Sequence, residues 1–561
     1  MFIRTKTTPN SPRKTVQIVE NYRSAQGNIR QRILRHVGVA QYDAHLAQLR
    51  DLAQVMLVEL KNAPQPGLFS EEEQIALLQQ ATPDANADTT QNSAADDAPL
   101  MVDLKQLRET SRATLGFHDI YGEVYQKLGF DKLMGARKVA SGRVLKDLLI
   151  ARIAQPASKR ASAQLLQRDF GIEIDAHQIY RMMDHLNQPM QERICALASK
   201  AAFDLLDNKV DVLFFDCTTL YFESFDEDDL RQKGFSKDRK VAETQVLLAL
   251  LVTRAGLPVG YRLYPGSQWE GHTLPNAIDD IKRNVAVDKV VLVADSALFN
   301  KGNLALLNEK TQDYLVAARL KNLPQSLQEK ILDKSAYQRL NDDESYLETT
   351  YQGQRLIVTH SIHRAKKDQH ERQKAIEKAR KRYDGKSVKS AIKGAASKYL
   401  NAPEDSTLTI NEDKVEQAAL WDGLHGVATN VPPDKLSVQD AVAQYRGLWQ
   451  VEETFRLSKH DLRIRPIFHW TEDRIRAHVA LCFMALTCIR WLTYTYNLTH
   501  PQHTLSAEAI RTELAHAQVS ILEHQTQPRR FAIPSQLTKQ GKLLYKHVSK
   551  TWRTTPYEIH P

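Results

Sequence analysis

The chain has 561 residues, 42% hydrophobic and 25% charged, which excludes a fibrous or wholly disordered protein and implies several domains with a substantial core. A formal net charge of +9 favours an acidic partner. The basic start MFIRTKTTPNSPRK is not followed by the apolar core of a secretion signal, so a cytoplasmic protein without a membrane anchor is expected, and the unpaired spacing of Cys195, Cys217, Cys482 and Cys488 reads as buried free thiols.

Residues 1–81 read as a basic N-terminal module. KTVQIVENYR and NIRQRILRHVG suggest strands, a helix runs through Tyr42 to Leu60, and residues 1–38 carry eight Lys or Arg against Glu20 alone. Residues 82–103 are a flexible linker: 82–99 hold four aspartates, no basic residue and almost nothing to bury. Residues 104–208 have helical periodicity, as at Val144, Leu145, Leu148, Leu149 and Ile153. Within them, ASAQLLQRDFGIEIDAHQIYRMMDHL offers a helix, a Gly171 turn, an Asp175 cap and a second helix. That pattern suits either a DNA-reading helix-turn-helix or a plain bundle.

From 209 to 320 the character changes. VDVLFF is an apolar strand ending in Asp216, VLLALLV and VGYRLY are strands joined by TRAGLP, LPNAIDDIKRN is a helix, and KVVLVA is a strand ending in Asp295; a helix near Asn303 to Leu307 and the strand YLVAAR follow. Strand, strand, strand, helix, strand, helix, strand is the order of a ribonuclease H-like domain, whose first and fourth strands lie side by side. Asp216 and Asp295 are therefore expected at adjacent strand ends. Residues 321–435 are too long for a loop and read as an inserted subdomain. It holds the hairpin YLETTY, QGQ, RLIVTHS, a basic segment with nine Lys or Arg in 364–382, and the strand-like DGLHGVATN. Residues 436–500 resume the core through a capping box at SVQD, and the apolar run Val479 to Ile489 is too short for a bilayer and reads as a buried helix. Residues 501–561 are expected as a basic tail region.

Residues 445–462, YRGLWQVEETFRLSKHDL, read as one helix whose face at steps of three and four holds Tyr445, Leu448, Glu452, Phe455 and Lys459. A carboxylate inside an apolar stripe is costly unless something compensates it. The pattern resembles the DDE transposases of bacterial insertion sequences, the IS-four type superfamily and its sixteen-thirty-four-like group. Their motif Y-x-x-R-x-x-x-E-x-x-x-x-x-x-K stands here as Tyr445, Leu448, Glu452 and Lys459. FFDCTTLYFES and VADSALFNKGN look like the family's first and second aspartate motifs, and GFSKDRK and HRAKKDQHERQKAI also look like members of the group.

The resemblance implies an α/β fold: a ribonuclease H-like catalytic domain with a β-rich inserted subdomain, preceded by a helical DNA-binding region and the small basic module. It implies Asp216, Asp295 and Glu452 as catalytic residues and as ligands of Mg2+, which Mn2+ can replace. Phosphoryl transfer uses such ions to activate the attacking oxygen and stabilise the leaving one, and hard cations prefer carboxylate oxygen. Tyr445 and Lys459 are implied DNA contacts. Leu448 stands where the motif has arginine, and Arg456, about 40° from Glu452 on a helical wheel, is the better substitute. Glu453 breaks the motif spacing and is kept as a salt-bridge residue. Trp269, in PGSQWEGHT, suits stacking on an unpaired base. The implied activity is cleavage at terminal inverted repeats and joining to target DNA by a homodimer that synapses two ends, in a bacterial, nucleoid-associated setting. The rival readings are a ribonuclease H-like nuclease without strand transfer, a transposase-derived DNA-binding protein that has lost chemistry, and three unrelated surface carboxylates.

Overall fold

The structure, a computed structural model, describes residues 2–7, 14–23, 29–40, 50 and 53 and, between 101 and 559, all except 224–225, 235–242, 277–278, 280–289, 297–300, 311, 384–398 and 402–408. The chain divides into two units, Met1–Pro99 and Leu100–Pro561. In the first, β1 (Phe2–Thr7), β2 (Lys14–Arg23) and β3 (Ile29–Ala40) form an antiparallel sheet in that order. Strict alternation would expose every second residue of β2, yet Val16, Gln17, Ile18 and Val19 are all buried. Register shifts against β3 between Val16 and Gln17 and between Ile18 and Val19 twist the strand and turn successive residues inward. Of the helix expected through Tyr42 to Leu60, only Arg50 and Ala53 are described, and both are helical; the acidic stretch 82–99 and GFSKDRK after Gly234 lie outside the described residues.

The second unit begins with β4 (Leu107–Thr114) and the helices α1 (Gly116–Lys127), α2 (Val139–Ala154), α3 (Lys159–Phe170), α4 (Ala176–Met183) and α5 (Gln188–Leu205). Gly171 closes α3 at φ 68, a left-handed conformation that glycine adopts freely. Asp175 opens α4 through a capping box with Gln178. The two helices are therefore separated where the sequence indicates.

The strands β5 (Val212–Tyr221), β6 (Gln245–Thr253), β7 (Pro258–Pro265), β8 (Val291–Ala294) and, after α6 (Lys301–Glu309), β9 (Tyr314–Ala318) stand in the order β7-β6-β5-β8-β9. β5 is parallel to β8 and β8 to β9, while β6 is antiparallel to both neighbours. This mixed α/β arrangement is the ribonuclease H-like order. Every residue of β6 is buried, as a strand covered on both faces requires. Of LPNAIDDIKRN, residues 274–276 and 279 are described, and they are helical.

Strands of the stretch expected as an inserted subdomain, residues 321–435, join the sheet of β5 to β9. After α7 (Gln325–Leu332) come β10 (Gln338–Arg339), β11 (Glu344–Tyr351) and β12 (Gln354–Ser361); then α8 (Ile362–Tyr383), the two-stranded pair β13 (Leu400–Asn401) and β14 (Thr409–Ile410), α9 (Glu412–Ala419) and β15 (Leu424–Thr429). β15 pairs antiparallel with β9 through Gly426↔Ala318 to Thr429↔Leu315. These strands thus extend the sheet to nine, β10-β11-β12-β15-β9-β8-β5-β6-β7. The physical reason is the free edge of β9, whose backbone groups need a partner.

α10 (Val438–Arg446), α11 (Trp449–Arg456) and the 28-residue α12 (Glu472–Thr499) follow. Val212 and Phe214 of β5 share one core with Ala441, Val451, Phe455, Leu481 and Met484; Leu213, Phe215 and Cys217 share another with Leu304, Leu307 and Ile331. α12 is long and apolar enough to pass for a membrane span, but 83% of its apolar window is buried in the protein. The expected C-terminal tail is also folded: α13 (Ala507–His516), β16 (Gln518–His524), β17 (Arg530–Pro534), α14 (Lys539–His547) and β18 (Tyr557–Ile559). Their strands make the sheet β18-β17-β16-β4, so residues from both ends of this unit form one layer. All four cysteines are buried thiols outside any disulfide.

Candidate active site

β5 and β8 run parallel with Phe215 opposite Ala294, so the next step along each strand brings Asp216 beside Asp295. Asp295 follows the last residue of β8, but Asp216 does not end its strand: β5 continues to Tyr221, paired with β6 throughout. β5 runs on past Asp216 because Cys217 to Tyr221 still have β6 as a ladder partner. Alternation places Asp216 on the face of Val212 and Phe214, the face that the core of α10, α11 and α12 covers. Each aspartate accepts a hydrogen bond from the amide of the following residue, Cys217 N at 2.7 Å and Ser296 N at 2.6 Å.

The single helix expected over 445–462 is three segments. α10 ends at Arg446, α11 begins at Trp449, and a wider π turn spans Leu457–Asp461, closed by Leu462 N donating to Leu457 O at 2.8 Å. Gly447 joins the first two because a Cβ there would lie 2.5 Å from the Phe214 ring. The buried face of this stretch is Leu448, Val451, Thr454, Phe455, Leu457 and Ser458, whereas Glu452 is exposed. The apolar stripe is therefore rotated away from the carboxylate, and no buried charge arises. Glu452 also sits in the first turn of α11, where the helix dipole favours an anion.

Tyr445 connects these elements. Its ring lies 4.9 Å from that of His425 on β15. Burial pushes its hydroxyl well above the ordinary value; Asp295, Glu452 and Asp216 push it the same way, and Arg364 opposes them. One side chain thus feels all three carboxylates, which come from β5, the end of β8 and α11. The Tyr445 hydroxyl stays protonated and available as a donor. Burial and the charge of Arg364 push His425 down to about 4 against the opposing effect of Asp295, so its imidazole is neutral at physiological pH.

The other expected residues are placed differently. Arg456 forks onto Glu453, with Nε and Nη2 both at 2.7 Å from its oxygens, and lies 3.8 Å from Asp461. Its guanidinium is spent on the neighbouring helix residue, and this pairing holds Glu453 below the usual carboxylate range. Lys459 is half-buried within the π turn, whose wider spacing removes it from the straight α-helical register with Glu452. Trp269 is 46% exposed, lies edge-on to His272 at 5.2 Å, and covers Gly271, where a Cβ would meet its ring at 2.1 Å.

Asp216, Asp295 and Glu452 offer only hard oxygen donors, which suits a divalent cation. Among the described residues no three His, Cys, Asp or Glu side chains form a ready-made ion cage.

A family model, Transposase DDE domain, matches residues 208–488, and a second, IS1634 family transposase, N-terminal domain, matches residues 3–65. The chain belongs to the DDE transposases, in the IS1634 family. DNA transposition, a polynucleotidyl transfer, is its activity, and divalent metal ions are the general cofactors of this family. No curated protein matches the transposase. Among solved structures it is similar to a piggyBac transposase synaptic complex with hairpin DNA, at 9% identity and TM-score 0.36 over 72% of this chain and 79% of that one. It is also similar to a Mos1 transposase paired-end complex with left transposon end, at 11% identity and TM-score 0.14 over 47% and 71%. A Mos1 mariner paired end complex with Mn gives 12% identity and TM-score 0.13 over 48% and 73%.

Two residues beside the candidate site escape sequence reasoning. His425 stands in DGLHGVATN and Arg364 at the head of the basic segment, both in the stretch read as an insertion. The pairing of β15 with β9 brings His425 against Tyr445, with Arg364 near both. A histidine within the strand-like DGLHGVATN is the one available signal.

Proposed function

We propose that Asp216, Asp295 and Glu452 are the catalytic carboxylates of the transposase and hold Mg2+, with Mn2+ able to replace it. The observation that carries this reading is the side-by-side register of Asp216 and Asp295 within the stretch matched by the DDE domain, supported by the effect of all three carboxylates on the Tyr445 hydroxyl. When bound, the metal supplies Lewis-acid activation of the attacking oxygen and charge stabilisation of the leaving oxygen. The protein's own part is orientation. The sheet fixes the two aspartates, α11 presents Glu452 from the facing layer, and protonated Tyr445 donates to a phosphate oxygen.

The substrate is DNA at the terminal inverted repeats, nicked to free 3′ hydroxyl ends that attack target DNA directly, without a covalent protein intermediate. A homodimer synapses two ends. The basic α8, the N-terminal module and the helices α3 and α4 grip the duplex; Lys459 holds a phosphate and Trp269 stacks on an unpaired base. Arg456 is assigned to holding Glu453, not to DNA.

The test is Mg2+-dependent cleavage of repeat-end DNA by purified protein. Glu452→Gln abolishes cleavage while leaving gel-shift affinity for the ends intact. Glu453→Gln costs no more than about 10–100-fold, as expected for a group outside the metal's own ligands. Undiminished cleavage by Glu452→Ala would sink the assignment.

A further inference from the structure

We infer that Arg364, from the first turn of α8, contacts a non-bridging oxygen of the scissile phosphodiester and supplies the cation that Leu448 does not. This rests on the assignment of Asp216, Asp295 and Glu452 as the residues around that phosphodiester.

The placement follows from backbone packing. α8 starts directly after β12, and Ser361 N donates to Gly423 O at 3.0 Å. A Cβ on Gly423, which has φ 79, would lie 2.7 Å from Ser361 O and 2.9 Å from Ala365 Cβ. The first turn of α8 is thereby pressed onto the start of β15, two residues before His425, whose ring lies against Tyr445. Arg372 fixes the next turns by forking onto Asp422, one of its two bonds being 2.6 Å. The head of a strongly basic helix is therefore held beside His425 and Tyr445, and the charge of Arg364 acts on both.

Charge accounting singles out this residue. The arginines nearby are committed: Arg446 to Glu344, Arg456 to Glu453 and Arg372 to Asp422. Among the described residues Arg364 has one carboxylate neighbour, Asp368, at 3.9 Å, which is beyond hydrogen-bond length, and its side chain is 50% exposed. Asp368 in turn accepts from Gly423 N at 3.0 Å. A phosphodiester entering a cluster of three carboxylates meets strong repulsion, and a guanidinium with open donors is the group that offsets it. Exposed Lys366, Lys367, Lys374 and Lys378 follow along α8, so the same helix meets the flanking phosphates.

The experiment compares repeat-end DNA carrying either the natural phosphodiester or a neutral methylphosphonate at the cleavage position, with binding read by fluorescence anisotropy in EDTA. The wild type prefers the charged ligand by about tenfold, the scale of a hydrogen bond to a charged group. Arg364→Ala loses the preference, and Arg364→Lys keeps part of it. With Mg2+ and the natural substrate at saturating protein, Arg364→Ala lowers the single-turnover rate, and Arg364→Lys partly restores it. An Arg364→Ala protein that retains the wild-type preference overturns the inference. Failure of the wild type itself to cleave repeat ends strikes the proposed function instead, so the two failures are distinguishable.

Discussion

Lys159 is the first residue of α3, where the helix dipole disfavours a cation, and it is buried. Its Nζ donates to His478 Nδ1 at 3.1 Å, while His478 Nε2 donates to Ile464 O at 2.9 Å, an arrangement that keeps the imidazole neutral. Burial, helped by Arg152, pushes the Lys159 ammonium from 10.5 down to about 7. Between those values the unfolded chain binds a proton that the folded chain does not. Stability therefore rises as pH increases through this window and is lowest below it. Replacing Lys159 with Met is expected to flatten the rise of Tm between pH 7 and pH 10 and to raise Tm at neutral pH; an unchanged slope in Lys159→Met would show that another group titrates. Glu452 illustrates the residue scale differently. Its type and spacing are legible in the sequence, but its exposure is not, because the apolar positions that pack on β5 begin at Leu448 and Val451 and leave the carboxylate at the rim.

At the scale of elements, the joint between α10 and α11 decides where Glu452 stands. Gly447 has φ −66, so no unusual backbone requires glycine there; the requirement is the Phe214 ring. Gly447→Ala is expected to push α11 off the sheet, destabilising the protein by about 1–3 kcal/mol and lowering the cleavage rate more than DNA binding. Thermal unfolding alongside single-turnover cleavage checks this, and a normal rate in a destabilised variant would separate α11 seating from catalysis. The π turn at Leu457–Asp461 is an element that helical periodicity could not reveal. Its extra residue appears as a shift in backbone bonding, with Ile464 N donating to Ser458 O at 2.9 Å beyond the turn, and leaves no mark in the apolar pattern.

For the whole molecule, the second unit is closed by its own ends. β16 pairs with β4 from Gln518↔Thr114 to His524↔Leu107, Leu115 N and Gly116 N both donate to Ala517 O, and the Tyr545 hydroxyl donates to Asp119 at 2.8 Å. Truncation after His516 strips β4 of its partner and uncovers the core beside α1. The expected outcome is loss of soluble protein, or rapid digestion of residues 107–127 in limited proteolysis. A stable truncated protein that still cleaves DNA would restore the tail reading.

The sequence by itself determined the strands from β5 to β9, because their apolar runs are bounded by turn residues, and it pointed to Asp216, Asp295 and Glu452 as the acids to examine. It also determined the hairpin of β11 and β12, where Gln352 and Gly353 both take positive φ. Only the tertiary structure decided which edges meet. Backbone groups at the edge of β9 accept any extended partner, and no side-chain pattern announces that β15 fills that edge or that β4 waits for β16. His425, Tyr445 and Arg364 come together through that choice. Local propensity acts over a few residues, whereas this constellation depends on pairings between segments more than a hundred residues apart.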